Sequence, residues 1–150
     1  VYLKKLTARL AAMSQSGQYN YLRSMKRGDS AAACMAAAEF IKAAAGAFYL
    51  LRKTYIPFYK WMFRGMESME GGREMAAMLA RLARIPDEPE RAEEKSRLIE
   101  EICIMIRKEL NRLGLSASRE DFLVAHGQEL MSKIQDSRIR SLPMLFDGKG

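Results

Sequence analysis

Apolar residues recur every three or four positions along most of this 150-residue chain, which is the spacing of one face of an α-helix. The clearest stripe lies between residues 30 and 53, and it contains Ala37, Phe40, Ile41, Ala44, Phe48 and Leu51. Ten alanines between Ala31 and Ala47 leave room for a neighbouring helix to approach closely. We therefore predict that this segment forms the central helix of a bundle.

A second stripe predicts a long amphipathic helix that begins after Pro86 and ends at Leu113. Its inward positions are Leu98, Ile102, Met105, Ile106, Leu110 and Leu113, and Gly114 closes it.

Capping residues and helix breakers predict the remaining boundaries. The first helix should run from Tyr2 to Lys26 with a bend near Gly17, after which Gly28 stops it and Asp29 caps the next. A short helix should begin at Pro57 and end near residue 66, and another should run from about residue 71 to a point before residue 86. A last helix should open at Ser118 with the pattern Ser-Arg-Glu-Asp, and residues 142–150 should form an irregular tail.

Composition excludes a β fold. Two valines and two threonines stand against twenty alanines, sixteen leucines and eleven methionines. We predict an all-α fold, a single bundle of five or six helices that occupies residues 1–150 as one domain.

Charge is distributed unevenly. The net charge is +7, of which residues 1–64 contribute +9 and residues 65–150 contribute −2. The basic first half favours a phosphate-bearing ligand, although an ordinary basic surface or a surface that docks on an acidic domain would look the same. Nucleic acid fits this charge, but no motif indicates it.

The remaining features of the composition indicate no specific function. Cys34 and Cys103 lie in apolar helical surroundings without metal-ligand spacing, so we expect two reduced core residues and no metal. We expect a cytoplasmic protein without a membrane span, and a first residue that is not Met suggests a fragment of a longer protein.

Two clusters place aromatic rings beside cations or amides, which is the combination that stacks on and hydrogen-bonds to a flat polar ligand. The candidate ligand-binding residues are Tyr19, Asn20, Tyr21, Arg23 and Arg27 in the first cluster, and Tyr55, Tyr59 and Lys60 in the second. The competing interpretation is that both clusters pack between helices, with Trp61 in the core.

These segments resemble a known family. Gly17-Gln-Tyr-Asn-Tyr, the helix through Glu39-Phe-Ile-Lys42 and the run from Tyr55 to Trp61 are similar to a bacterial and archaeal helical domain of undefined function. In that family the domain follows a nucleotidyltransferase domain of the polymerase-beta and kanamycin-nucleotidyltransferase type. The resemblance is good over residues 10–66 and weaker beyond them.

The resemblance implies a helical domain that forms one wall of a cleft, while an upstream nucleotidyltransferase domain supplies the catalytic wall. Magnesium and a nucleoside triphosphate would belong to that parent protein. This chain has no Gly-Ser dipeptide and no spaced Asp pair on a strand, and the carboxylates of Asp87, Glu88 and Glu90 suit a helix start. We therefore expect a non-catalytic domain on the ligand or acceptor side, with no cofactor of its own.

Two alternatives remain open. Arg119 and His126 are seven residues apart, which would place them two turns apart on one face of the last helix. That spacing is similar to the ribonuclease motif of HEPN-type helical domains, in which His acts as general base. A lone histidine between Phe122 and Leu130 is more often a packing residue, and a purely structural interaction domain is the other alternative.

Overall fold

The computed structural model describes residues 1–146, and within them the chain is all-helical with no strand. Its helices are α1 (Tyr2–Met13), α2 (Tyr21–Lys26), α3 (Ser30–Leu51), α4 (Tyr59–Met66), α5 (Gly72–Arg84), α6 (Ala92–Arg112), α7 (Val124–Ser132) and α8 (Ser137–Arg140). Seven of these have six residues or more, so the expected count of five or six is not confirmed.

The first long helix is continuous but irregular at the predicted position. A π-helical segment, Ser14–Asn20, joins α1 directly to α2. Gly17 lies in the middle of this segment, where a Cβ atom would lie 2.3 Å from Cδ2 of Phe40. The glycine is therefore required for the close approach of the π-helical segment to α3 rather than for a turn.

Gln18 fixes the outer side of the π-helical segment. Its Nε2 donates to Oε2 of Glu100 at 3.0 Å and to the carbonyl of Asp121 at 2.7 Å. Its Oε1 accepts from the backbone N–H of Leu123 at 3.0 Å. One amide thus ties the π-helical segment to α6 and to the loop that precedes α7.

The central helix forms as predicted. Gly28 has a φ of 73°, which ends α2, and Oδ1 of Asp29 accepts from the backbone N–H of Ala32 at 2.9 Å. From this cap α3 runs through the core and contacts α1, α2, α4, α5 and α6. Its fully buried residues include Phe40 and Ala44 of the predicted stripe.

Two predicted helix starts are wrong. Pro57 lies outside α4, which begins at Tyr59. The segment from Ser118 is not helical, because Oγ of Ser118 accepts from the N–H of Glu120 in a local turn and α7 begins only at Val124. The carboxylate of Glu129 accepts from the N–H of Ala117 at 2.9 Å, so this loop is held by a side chain of α7.

The segment after α8 has no regular structure up to residue 146, as predicted, and the prediction for residues 147–150 lies outside the described residues. This segment is nevertheless attached to the bundle. The buried ammonium of Lys4 donates to the carbonyls of Met144, at 2.8 Å, and of Phe146. The described part of the tail is therefore held against α1.

Candidate functional site

The first turns of α1 and the end of α3 enclose a groove of about 670 Å³, which we call the corner groove. Its lining residues are Val1, Tyr2, Lys5, Arg9, Leu50, Lys53, Thr54, Tyr55 and Ile56. The volume is in the range of ordinary small-molecule sites. Rings, aliphatic side chains and cations face the same space.

The C-terminus of α3 shapes one wall of the corner groove. Lys53 has a φ of 50°, in the left-handed region that glycine usually occupies after a helix. The N–H of Lys53 donates to the carbonyl of Leu50 at 2.9 Å, and the N–H of Thr54 donates to that of Tyr49 at 3.0 Å. A lysine in this conformation costs about 1 kcal/mol relative to glycine, so its side chain is a candidate for function.

Tyr2 forms the floor of the corner groove. Its hydroxyl donates to the carbonyl of Leu50 at 2.8 Å, and burial raises the pKa of the phenol. The ammonium of Lys53 lies 5.9 Å from the centre of the Tyr2 ring. The neutral ring can therefore hold the lysine by a cation–π contact until an anion binds.

The corner groove is positively charged. Lys5, Arg9 and Lys53 contribute three cations, and among residues 1–146 no Asp or Glu lines the groove. Lys5 is exposed, and Arg9 is half-buried with its Nε 3.0 Å from where a Cβ of Gly46 would lie. Lys5 and Arg9 are four residues apart on one face of α1, so both face the groove.

Arg52, next to Lys53, points away and anchors this end of α3. Its Nε and Nη2 donate to the carbonyl of Glu70, at 3.0 and 2.9 Å, and its Nη1 pairs with Oε1 of Glu109 at 2.5 Å. Hydrogen bonds from Arg112 and Arg52 lower the pKa of Glu109 to about 2. The wall that bears Lys53 is thereby fixed to the connection between α4 and α5 and to α6.

The second aromatic cluster is exposed, so the interpretation that it packs between helices is wrong, including the core assignment of Trp61. The exposed fractions are 98% for Tyr55, 65% for Phe58, 69% for Tyr59 and 52% for Trp61. These residues lie on the connection between α3 and α4 or on the first turn of α4, outside the packed faces. The candidate residues Tyr55, Tyr59 and Lys60 are therefore accessible.

A second groove of about 550 Å³ adjoins the corner groove at this cluster, and we call it the aromatic groove. Its lining residues are Tyr49, Thr54, Tyr55, Pro57, Trp61, Arg64, Gly65, Ser68 and Met69. Thr54 and Tyr55 line both grooves.

The first aromatic cluster is divided between core and surface. Tyr21 is fully buried, and its hydroxyl donates to Oδ1 of Asp87 at 3.0 Å, an oxygen that also accepts from Nζ of Lys95 at 2.9 Å. Burial, followed by the bond to Asp87, raises the pKa of Tyr21. Tyr21 therefore has no exposed face for a ligand. Its prediction as a binding residue is wrong, and it is a packing residue instead.

The other members of the first cluster lie outside the corner groove and the aromatic groove. Tyr19 is 51% exposed and the guanidinium of Arg23 stacks on its ring at 4.8 Å, while Arg27 is exposed. Asn20 lines a separate groove that borders the corner groove at Arg9. The structure therefore does not bring the two predicted clusters together.

The Arg119 and His126 pair does not share a helix face. Arg119 lies in the loop before α7, whereas His126 lies in α7 and is fully buried. Nδ1 of His126 is 2.5 Å from Oγ of Ser116, and its Nε2 is 2.6 Å from the carbonyl oxygen of Glu120. Both ring nitrogens are engaged in holding the loop, which supports the packing interpretation.

Sequence reasoning missed Tyr2, Lys5, Arg9 and Lys53 as site residues. The spacing of Lys5 and Arg9 is a signal that could have found two of them, since it predicts a shared face of α1. The role of Lys53 depends on its left-handed backbone and on the Tyr2 ring. Neither can be deduced from the local sequence.

Cys34 is exposed on α3 and Cys103 is buried in α6, so the core assignment is wrong for Cys34. Burial raises the pKa of Cys103 well above its usual range. Within residues 1–146 no group of three or more His, Cys, Asp or Glu side chains is placed to hold a metal ion.

Within the described residues one helix, α3, is long and apolar enough to cross a membrane by length and composition alone. More than half of its apolar window is buried by the other helices, and the core helix of a soluble protein has the same properties. The cytoplasmic location stays a prediction.

Comparison with known families finds one similarity. A family described as a domain of unknown function (DUF4037) matches residues 1–62. No curated protein and no solved structure matches the chain. The matched range includes every residue that lines the corner groove and the exposed rings from Tyr55 to Trp61.

Proposed function

We propose that this chain is the non-catalytic, ligand-side helical domain of a nucleotidyltransferase-like protein. In this proposal the corner groove binds the phosphates of a nucleotide or of another phosphate-bearing small molecule. The carrying observation is the convergence of Lys5, Arg9 and Lys53 on one groove that no Asp or Glu of residues 1–146 lines. The link to an upstream nucleotidyltransferase domain depends on the resemblance of the two aromatic clusters and the helix between them.

The chemistry of the corner groove suits a nucleotide. Its cations can neutralise a di- or triphosphate. Tyr2 and Tyr55 also line the groove and offer ring faces on which a base can stack. In the parent protein, carboxylates of the upstream domain would hold magnesium, which would promote attack of an acceptor hydroxyl on the α-phosphate of the triphosphate with release of pyrophosphate. The residues described here would hold and orient the ligand.

A titration of the chain with ATP and with pyrophosphate, followed by NMR, tests this proposal. We expect shifts at Lys5, Arg9 and Lys53, and an affinity that falls as salt rises. Lys5→Ala should weaken binding about fivefold, the value of a partly screened charge-assisted contact. The matched control Lys108→Ala removes one exposed charge from α6 and should leave the affinity within about twofold.

Two results would contradict the proposal. If Lys108→Ala weakens binding as much as Lys5→Ala does, the attraction belongs to the net charge and not to the corner groove. If the purified chain transfers a nucleotidyl group by itself in the presence of magnesium, the domain is catalytic.

A further inference from the structure

The corner groove does not end at Tyr55. Thr54 and Tyr55 line it on one side and line the aromatic groove on the other, and Tyr55 is 98% exposed between the two. The aromatic groove continues to Trp61 and Arg64. The two grooves therefore meet at Thr54 and Tyr55 and form one surface that extends beyond the corner groove.

The rings along this surface are available for stacking. Phe58 and Tyr59 line neither groove, but they lie in sequence between Pro57 and Trp61 of the aromatic groove, with ring centres 4.4 Å apart, and both are more than 60% exposed. The ammonium of Lys60 lies 5.3 Å from the centre of the Trp61 ring. Exposed aromatic surface of this extent on a soluble domain marks a binding site.

Charge restricts the class of partner. Residues 40–66 contain Lys42, Arg52, Lys53, Lys60 and Arg64 and no Asp or Glu, and residues 1–28 also lack acidic side chains. In the part of the chain that the structure describes, no acidic residue lines either groove. Arg52 is already paired with Glu109, but a basic or neutral partner would leave Lys53, Lys60 and Arg64 uncompensated, so the partner is an anion.

We propose that the corner groove and the aromatic groove together bind a single-stranded nucleic acid, with bases stacked on Tyr55, Tyr59 and Trp61. This inference rests on the proposed function, because it takes the corner groove as the phosphate-binding end of the surface. Alternation of rings and cations along an exposed segment matches the alternation of bases and phosphates in a single strand.

An acidic protein is a weaker fit than a nucleic acid. It would satisfy the cations, but a protein surface would also be expected to meet aliphatic side chains at the centre of the interface. Ile56 is the one aliphatic side chain other than proline between Lys53 and Trp61, and it is only partly buried. Rings dominate the segment.

The fluorescence of Trp61, the chain's one tryptophan, gives a direct assay. The chain is titrated with a ten-nucleotide oligothymidylate, with the same oligomer lacking its bases, and with ATP. We expect the oligothymidylate to quench Trp61 and to bind more than tenfold more tightly than ATP, because several bases stack at once. The abasic oligomer should bind at least tenfold more weakly and leave the emission unchanged.

Substitutions at exposed rings avoid the problem of misfolding. Tyr55→Ala and Tyr59→Ala should each weaken oligothymidylate binding about tenfold, the effect of losing one stacked base. Phe122→Ala is the matched control, since Phe122 is 42% exposed and lies in the loop before α7, outside the segment from Tyr55 to Arg64. This variant should retain full affinity.

Three results would overturn the inference. Equal binding of the abasic oligomer would show that stacking is absent. If Phe122→Ala weakens oligothymidylate binding as much as Tyr55→Ala and Tyr59→Ala do, the effect is not specific to the rings of this surface. Polyglutamate that binds as tightly as the oligothymidylate and depends on Tyr55 would assign the surface to an acidic protein.

The test separates this inference from the proposed function. In one outcome, ATP binding depends on Lys5, but the oligothymidylate binds no more tightly than ATP and does not quench Trp61. That outcome contradicts only the nucleic-acid inference. If neither ATP nor the oligothymidylate responds to Lys5→Ala, the corner groove is not a phosphate site, and both fall.

Discussion

The two aromatic clusters look alike in sequence, but the first is divided between core and surface and the second is exposed. Tyr21 of the first cluster is fully buried and hydrogen-bonded to Asp87, whereas Tyr55 of the second is 98% exposed. The first cluster lies in a continuous helix that contacts α3 and α6, while the second lies mostly on a connection between helices. The burial of a ring therefore follows from the packing of its element and not from its neighbours in sequence.

Gly17 explains why Tyr21 of the first cluster lies in the core. Its missing side chain lets the π-helical segment contact Phe40 and Ile99, which places the next turn between α3 and α6. No comparable contact draws in residues 55–59, because α3 has already ended and Arg52 turns back to Glu70 and Glu109. The second cluster is therefore accessible to a ligand. The difference between the two clusters can be tested by substitutions in each of them.

The largest expected effect is at Tyr21. Tyr21→Ala should lower the free energy of unfolding by about 3 to 5 kcal/mol, because it leaves a cavity and removes a partner from Asp87 and Lys95. Tyr21→Phe keeps the ring and should cost only about 1 to 2 kcal/mol. Chemical denaturation followed by circular dichroism measures both, and a loss below about 1 kcal/mol for Tyr21→Ala would contradict the packing role.

The next effect concerns the ion pair between Arg52 and Glu109, which holds the end of α3 before the second cluster, and it depends on pH. The pKa of Glu109 is about 2 in the folded chain and lies near 4.3 in an unfolded one, so its ionised form stabilises the fold. That contribution, about 1 to 2 kcal/mol for a partly exposed pair, is present above pH 5 and is lost as the pH falls towards 2.

Glu109→Gln provides the control for this prediction. The difference in unfolding free energy between the native chain and the variant should be largest at neutral pH and should shrink towards zero near pH 2. A difference that does not change with pH would show that the carboxylate is not held by Arg112 and Arg52 as the structure indicates.

The sequence predicted the positions of the helices better than the contacts between distant residues. The periodic stripes and the Gly28-Asp29 boundary correctly located α3, and most of α6, because local spacing and capping decide them. The start of α7 was misplaced because Ser118 caps a turn rather than a helix, and its true partner Glu129 is eleven residues away. The corner groove could not be predicted, since it forms where residues 2 and 53 meet.

A smaller effect is expected at Trp61. Because this side chain is 52% exposed, Trp61→Ala should cost about 1 kcal/mol, well below the loss at Tyr21. Thermal unfolding compares the two variants directly. Equal losses at Trp61 and Tyr21 would mean that both clusters are packing motifs, which would remove the contrast on which the binding proposals depend.

The smallest effect has the opposite sign. Lys53 has a φ of 50°, and glycine adopts this conformation without a steric penalty, so Lys53→Gly should raise the free energy of unfolding by about 0.5 to 1 kcal/mol. The same change removes a cation from the corner groove and should weaken the binding of ATP. Lys53→Ala is the matched control, because it removes the charge and keeps the strained backbone. If the lysine is retained for binding, both variants lose affinity equally while only the glycine variant gains stability, as denaturation and titration of the same samples will show. A glycine variant that is more stable and binds ATP with undiminished affinity would leave the strain without a function and exclude Lys53 from the site.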